Sequence, residues 1–270
     1  MRKLNIDEIK QVELNLLLAF DKICKENNLR YSLAYGTLIG AVRHKGFIPW
    51  DDDIDVLMPR EDYEKLMKIH GEGQGRYRLF SSPLGNMPSG FCKYRDMNVS
   101  TKYKYIFKDV DDRELGIDIF PMDNAPTDDA EAIRLWKKTS YYRIRFDICA
   151  LRFRNKFLAV ITAPFLAPFR IRSRMAWTRK AEAVAMSIKE KTGFIENFIW
   201  NFDNIKERVP SSTFDEEPVM LDFEGHKFPA FSYYIQFLTN MYGDYMQLPP
   251  ENKRKSHGID AYLIDESLGL

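Results

Sequence analysis

Tyr35-Gly36-Thr37-Leu38-Ile39-Gly40-Ala41-Val42-Arg43-His44-Lys45-Gly46-Phe47-Ile48-Pro49-Trp50-Asp51-Asp52-Asp53-Ile54-Asp55-Val56-Leu57-Met58 is the stretch on which the fold turns. Residues 31–35 alternate as a strand does, Gly36 breaks the alternation, and 37–43 reads as a short helix. A loop punctuated by Gly46 and Pro49 then delivers the chain to a second strand over 51–58. Alternate side chains of a strand share a face, so Asp53 and Asp55 stand side by side, with Asp51 beside them if the strand starts that early. Ile54, Val56, Leu57 and Met58 supply the apolar surface that buries the strand. Two carboxylates at this spacing repel unless a cation sits between them. Hard oxygen ligands of this kind suit Mg²⁺, with Mn²⁺ as the alternative, completed by water and substrate phosphate. The competing reading of this segment alone is a solvated acidic turn or a simple surface cation site.

Working outward, Asn5 followed by Glu8 has the form of a capping box, and Ile9, Val12, Leu16, Phe20 and Ile23 recur at helical spacing until Asn27-Asn28. Pro59 suits the first turn of a helix over 60–70. Strands are expected over 77–81, 91–95 and 115–120. From Thr127, read as an N-cap, the pattern stays mostly helical to about Val209. A hairpin over 219–228 turns at Glu224-Gly225, and a helix over 233–241 precedes a polar tail. The fold class is α+β: a mixed sheet flanked by helices, with a mostly helical C-terminal half. The division is a catalytic core over 1–126, then a helical region over 127–270 with a hairpin and a C-terminal motif completing the site.

Asp118 lies between Ile117 and Ile119 in an apolar strand. Alone it reads as a hydrogen-bonded core aspartate. Beside Asp53-Ile54-Asp55 it becomes the third carboxylate of a platform for phosphoryl or nucleotidyl transfer, ligating metal or accepting a proton. Gly36-Thr37, at a strand-to-helix turn, would let a phosphate approach the helix N-terminus. Lys93 and Arg95 share a strand face and are candidate phosphate clamps, or simply solvated.

Lys plus Arg number 40 against 39 Asp plus Glu, and the net charge of +1 argues against a nucleic-acid footprint. The three cysteines are scattered, with no CxxC, which excludes a disulfide scaffold or Cys-rich zinc site and fits a reducing compartment. No signal peptide is legible, so a cytoplasmic protein is expected.

The long stretch from Tyr35 to Asp55 resembles the signature of the LicD family of phosphocholine transferases, within the nucleotidyltransferase superfamily. Gly116-Ile117-Asp118-Ile119-Phe120-Pro121-Met122-Asp123 is similar to that family's second block. Phe223-Glu224-Gly225-His226-Lys227-Phe228-Pro229, Tyr242-Gly243-Asp244-Tyr245-Met246-Gln247-Leu248-Pro249-Pro250 and Ser256-His257 resemble its C-terminal block. The resemblance implies transfer of a phospho-alcohol, typically phosphocholine from CDP-choline, to a hydroxyl of a cell-surface glycan precursor of the teichoic acid or lipopolysaccharide type, with release of CMP. Fukutin-related enzymes carry a similar motif and use CDP-ribitol. By position, Asp53 and Asp55 match the metal-binding pair, Asp118 the third carboxylate, and Gly36 and Thr37 the turn facing the donor phosphates. His44 and His257 are candidate contacts to donor or acceptor, or hydrogen-bonding surface histidines. A quaternary ammonium would want aromatic faces, with Trp50, Tyr94, Tyr103 and Tyr105 as candidates. The implied partners are a CDP-alcohol and a glycan or lipid-linked glycan. A nucleotidyltransferase acting on a small alcohol or antibiotic, and a non-catalytic glycan- or nucleotide-binding protein, are the rivals.

Residues 151–180 hold eight Lys or Arg and no acid, around the apolar run 157–169. That pattern suits peripheral contact with an anionic inner-membrane face, or an apolar hairpin buried in the core with arginines at its rim.

Overall fold

The computed structural model describes the chain except residues 104–113, 152–155, 202–203, 255 and 257–258. His257 and Tyr105 therefore lie outside the described residues. Helix α1 (Ile6–Glu26) opens on the expected capping box: Asn5 Oδ1 accepts from Glu8 N and Glu8 Oε2 accepts from Asn5 N, both at 2.9 Å. Strand β2 is only Ser32–Leu33, because Tyr35 already begins helix α2 (Tyr35–His44). Strand β3 is Asp55–Pro59, helix α3 Arg60–His70 and strand β4 Tyr77–Phe80. Strands β5 (Cys92–Tyr103) and β6 (Glu114–Ala125) run well beyond their expected cores.

The second half departs more from expectation. Helix α4 (Asp129–Ala150) is capped by Asp128, whose side chain accepts from Glu131 N, rather than by Thr127. Helices α5 (Lys156–Arg170) and α6 (Arg174–Ala185) follow, but the helical run ends there. Strands β7 (Phe194–Glu196) and β8 (Val209–Pro210) replace its continuation, with β7 pairing along the far end of β6. The hairpin is β9 (Val219–Phe223) and β10 (His226–Ala230), turning at Glu224-Gly225, both with positive φ as a two-residue type I′ turn requires. Helix α7 is Tyr234–Tyr242. The expected polar tail contains a strand, β11 (Ile259–Leu263), which inserts beside β5 and pairs on its other edge with β1 (Arg2–Lys3). Ala261 and Leu263 alternate into the core, a period-2 signal short enough to pass as tail.

Among the described residues the main sheet runs β1-β11-β5-β6-β3-β2, with β4 on β5 and β7 on β6. β3 and β6 are parallel, and β5 runs antiparallel to β6. Helix α1 packs its buried side (Val12, Leu16, Phe20) on β5 and β6. A smaller core of Ala125, Ala181, Ala185, Phe198 and Ile199 joins α4 and α6 to the sheet.

Candidate active site

The acidic segment is not one continuous strand. β3 pairs with β6 from Asp55 onward, beginning with Asp118 N donating to Ile54 O at 2.9 Å. Residues 51–53 precede this pairing; they form the loop entering β3, held at its start by Asp51 N donating to Ile48 O at 2.9 Å. Strand alternation therefore does not bring Asp51, Asp53 and Asp55 together. Cross-strand register does the gathering: Asp55 is opposite Asp118, and Asp118 is opposite Lys93. Residues directly opposite one another share a face, so carboxylate, carboxylate and ammonium form one row across β3, β6 and β5, about 4.8 Å per strand. Lys93 Nζ lies 3.1 Å from Asp118 Oδ1. Burial, then the charges of Asp53, Asp118 and Asp51, hold the Asp55 carboxyl well above its ordinary range, and Lys93 opposes this.

Helix α2 fixes the loop. The hydroxyl of Thr37, buried, accepts from Asp55 N at 2.9 Å, and Asp55 O accepts from Ala34 N at 3.0 Å. A Cβ on Gly36 would stand 2.6 Å from Asp51 Oδ2. The glycine thus makes room for a carboxylate at the helix N-terminus, where the macrodipole favours it. Gly36 and Thr37, expected to face phosphate, both lie at the N-terminal end of α2, and both are in contact with the aspartates themselves, Asp51 and Asp55.

The remaining candidates separate. The Arg95 guanidinium leaves the row, lying buried over the Phe80 ring at 4.8 Å with Nη2 3.0 Å from Met87 Sδ. Gly116, opposite it, makes space for this side chain. His44 sits at the other end of α2, roughly 15 Å along a ten-residue helix, where Nε2 accepts from Arg43 Nε at 2.9 Å. Trp50 lines a cavity of about 640 Å³ with Arg43, Tyr242, Asp244, Tyr245 and Arg254. Arg254 lies 5.2 Å over the Trp50 ring. Tyr94 is a core residue among Phe20, His70 and Tyr77 and offers no open face.

Two residues of consequence were missed in the sequence. Glu224, at the hairpin tip, accepts from Phe47 N at 2.9 Å and donates its own N–H to Lys45 O at 2.9 Å. The hairpin thereby holds the loop that leads to Trp50 and Asp51. Glu13, on the buried side of α1, falls at Ile9 plus four; an acid on an apolar helix face was the available signal.

Among the described residues no three His, Cys, Asp or Glu side chains are already gathered as a metal site. Mg²⁺ commonly takes only one or two carboxylates and fills its octahedron with water and substrate phosphate. The donor set fits it: hard oxygens in excess, with Lys93 the cation acting on both Asp55 and Glu13. Asp53, Asp55 and Asp118 are the residues from which those one or two carboxylates would come.

Residues 28–155 match the family model described as LicD/FKTN/FKRP, nucleotidyltransferase domain. Over 288 aligned residues the chain is 30% identical to the lipopolysaccharide cholinephosphotransferase LicD of Haemophilus influenzae, covering 98% of this chain and 100% of that protein. A 70-residue stretch, 26% of this chain, is 39% identical to an uncharacterized protein of Rickettsia prowazekii, 26% of which is covered.

Proposed function

Since the chain belongs to the LicD family, we propose that it transfers phosphocholine from CDP-choline to a hydroxyl of a cell-surface glycan of the lipopolysaccharide type, releasing CMP. Likeness to the Haemophilus enzyme along the whole chain carries this reading, and the Asp55–Asp118–Lys93 row supplies the chemistry. The acceptor oxygen forms a bond to the phosphorus that bears choline, and the bond from that phosphorus to the CMP oxygen breaks. Asp118 takes the proton of the acceptor hydroxyl, and Lys93, 3.1 Å away, holds that carboxylate in place. A bound Mg²⁺ would offset the charge developing on the pyrophosphate oxygens. Thr37 and Gly36 fix the strand entry and so the direction in which Asp53 and Asp55 face. The test is CMP release with CDP-choline, CDP-ethanolamine, CDP-ribitol and CDP-glycerol, each with a lipopolysaccharide acceptor and with product masses measured. Phosphocholine added to the glycan from CDP-choline is expected. Preference for another CDP-alcohol moves the substrate within the family, and addition of a nucleoside monophosphate sinks the phospho-alcohol reading.

The lipid-linked nature of such an acceptor accords with helix α5. Among the described residues no helix is long and apolar enough to cross a membrane. Yet Phe157, Val160, Phe165 and Ile171 are 71%, 72%, 73% and 83% exposed. The helix packs on α4, and its end is tied down where Phe169 O accepts from Cys149 Sγ and Trp177 Nε1. Of the two sequence readings, the buried hairpin is the one this exposure opposes. An apolar helix flanked by Arg170, Arg172 and Arg174 with no acid nearby in sequence suits the interface of an anionic leaflet.

A further inference from the structure

The transfer at the acidic row makes no use of the block from Tyr242 to Pro250. With Arg43, Trp50 and Arg254 that block lines the cavity of about 640 Å³. Two half-buried guanidiniums, those of Arg43 and Arg254, belong to the same lining. Main-chain carbonyls hold both. Arg43 Nη1 donates to Tyr245 O at 2.7 Å and to Gln247 O at 3.3 Å, and Arg254 Nε donates to Pro249 O at 2.8 Å. Among the described residues neither guanidinium is ion-paired, although Asp244 also lines the cavity. Burial and the charge of Arg254 hold Arg43 below its ordinary value, so the two cations feel one another.

Bringing two cations together is unfavourable, and an anion between them reverses the sign of that interaction. The planar guanidinium fork matches the oxygens of a phosphate, and Arg254 keeps both of its terminal nitrogens for such a partner. The donor does not supply this anion. On the proposed reading its pyrophosphate lies at the aspartates, where Gly36 makes room for Asp51. Arg43 stands seven residues beyond Gly36, about 10 Å along α2. Choline is a cation, which the arginines repel, and Arg254 already lies 5.2 Å over the Trp50 ring. The anion therefore belongs to the second substrate. The exposed Tyr242 in the same lining adds an aromatic surface for a sugar ring.

We infer that Arg43 and Arg254 form a binding site for a phosphate group carried by the acceptor glycan. This rests on reading the chain as a transferase with a glycan acceptor, and direct binding separates the two. Three probes are titrated calorimetrically: a phosphorylated lipopolysaccharide core oligosaccharide, the same oligosaccharide after phosphatase treatment, and CDP-choline with Mg²⁺. Wild type, Arg254→Gln and Arg43→Lys are compared. The wild type binds the phosphorylated oligosaccharide about tenfold or more tightly than the treated one. Arg254→Gln binds both forms alike, at the weaker level. Arg43→Lys, which keeps the charge and loses the fork, falls between them, and CDP-choline binds equally to all three proteins. Should Arg254→Gln fail to fold, Arg43→Lys decides: a reduced preference for the phosphorylated form supports the site and an unchanged one overturns it. Equal binding of the two oligosaccharides by the wild type overturns the site, as does a preference that survives both substitutions. Weakened CDP-choline binding with unchanged oligosaccharide binding assigns the arginines to the donor and overturns it too. Phosphate-dependent, arginine-dependent binding without CMP release from CDP-choline upholds the site and overturns the transfer reading alone.

Discussion

Around β3 and β6 the chain draws charge into the fold, with Glu13 buried and Asp55 and Asp118 half-buried; along α5 it places hydrocarbon outside, at Phe157, Val160 and Phe165. Each arrangement reverses the usual partition of residues and each is costly in water alone. The difference lies in what would offset the cost. For the row the proposed answer is a compact cation, because its carboxylates repel one another at short range. For the helix the proposed answer is an extended apolar surface with negative charge at its rim, because its exposed side chains are flanked by arginines. A buried defect in charge points to an ion, and an exposed defect in hydropathy points to a surface.

The strongest way to break this comparison is to neutralise the row. Asp53→Asn and Asp118→Asn are each expected to lower transfer by about a thousandfold, the scale of losing several kcal/mol of stabilisation of transition-state charge. Circular dichroism should show the fold retained. Steady-state CMP release checks this, and rates within a few-fold of wild type would leave the row a structural feature only.

The opposite region is tested by removing hydrocarbon. A Phe157→Ser/Val160→Ser/Phe165→Ser variant should lose at least about a hundredfold in partitioning to phosphatidylglycerol-containing vesicles, from roughly 1.5 kcal/mol or more per buried side chain. Its stability should stay within about 0.5 kcal/mol per substitution, because these residues bury little in the protein. Equal co-sedimentation of variant and wild type would remove the membrane from the comparison.

The smallest effect sharpens the first half. Glu196 is also a buried carboxylate, raised to about 9 by burial and then by Glu207, but Asn201 Nδ2 donates to its Oε1 at 2.9 Å. Its unfolded value is near 4.3, so between there and about 9 the folded state keeps a proton that the unfolded chain gives up. Stability should therefore fall as pH rises through that window, by at most about 1.4 kcal/mol per pH unit. Glu196→Gln should flatten the slope, and Mn²⁺ should leave it untouched. A slope unchanged by the substitution would mean that Glu196 does not carry this proton.

Much of this was legible in local pattern. The capping box of α1, the bounds of α3, the Glu224-Gly225 turn and the apolar strand around Asp118 all follow from periods of 3.6 and 2 or from turn chemistry. The run expected to stay helical to Val209 failed at β7, where Phe194–Glu196 finds its partner in β6, some seventy residues earlier. No local rule contains that pairing. β11 escaped notice for the same reason: five residues become a strand because β5 offers them an open edge.

The sequence by itself determined that the chain carries three aspartates in apolar surroundings, a glycine-threonine turn before them and a basic-flanked apolar segment. Their chemistry is a property of residue type and near neighbours, which the sequence contains. Tertiary structure decided that Asp55, Asp118 and Lys93 lie in one row, that Arg95 does not join them, that Glu13 is buried without a hydrogen bond, and that Phe157, Val160 and Phe165 of α5 stay largely exposed. Register is set by hydrogen bonds between strands about 25 and about 60 residues apart, and burial is set by whatever other elements happen to cover a face. Both are relations between distant segments, so they exist only once the chain has folded.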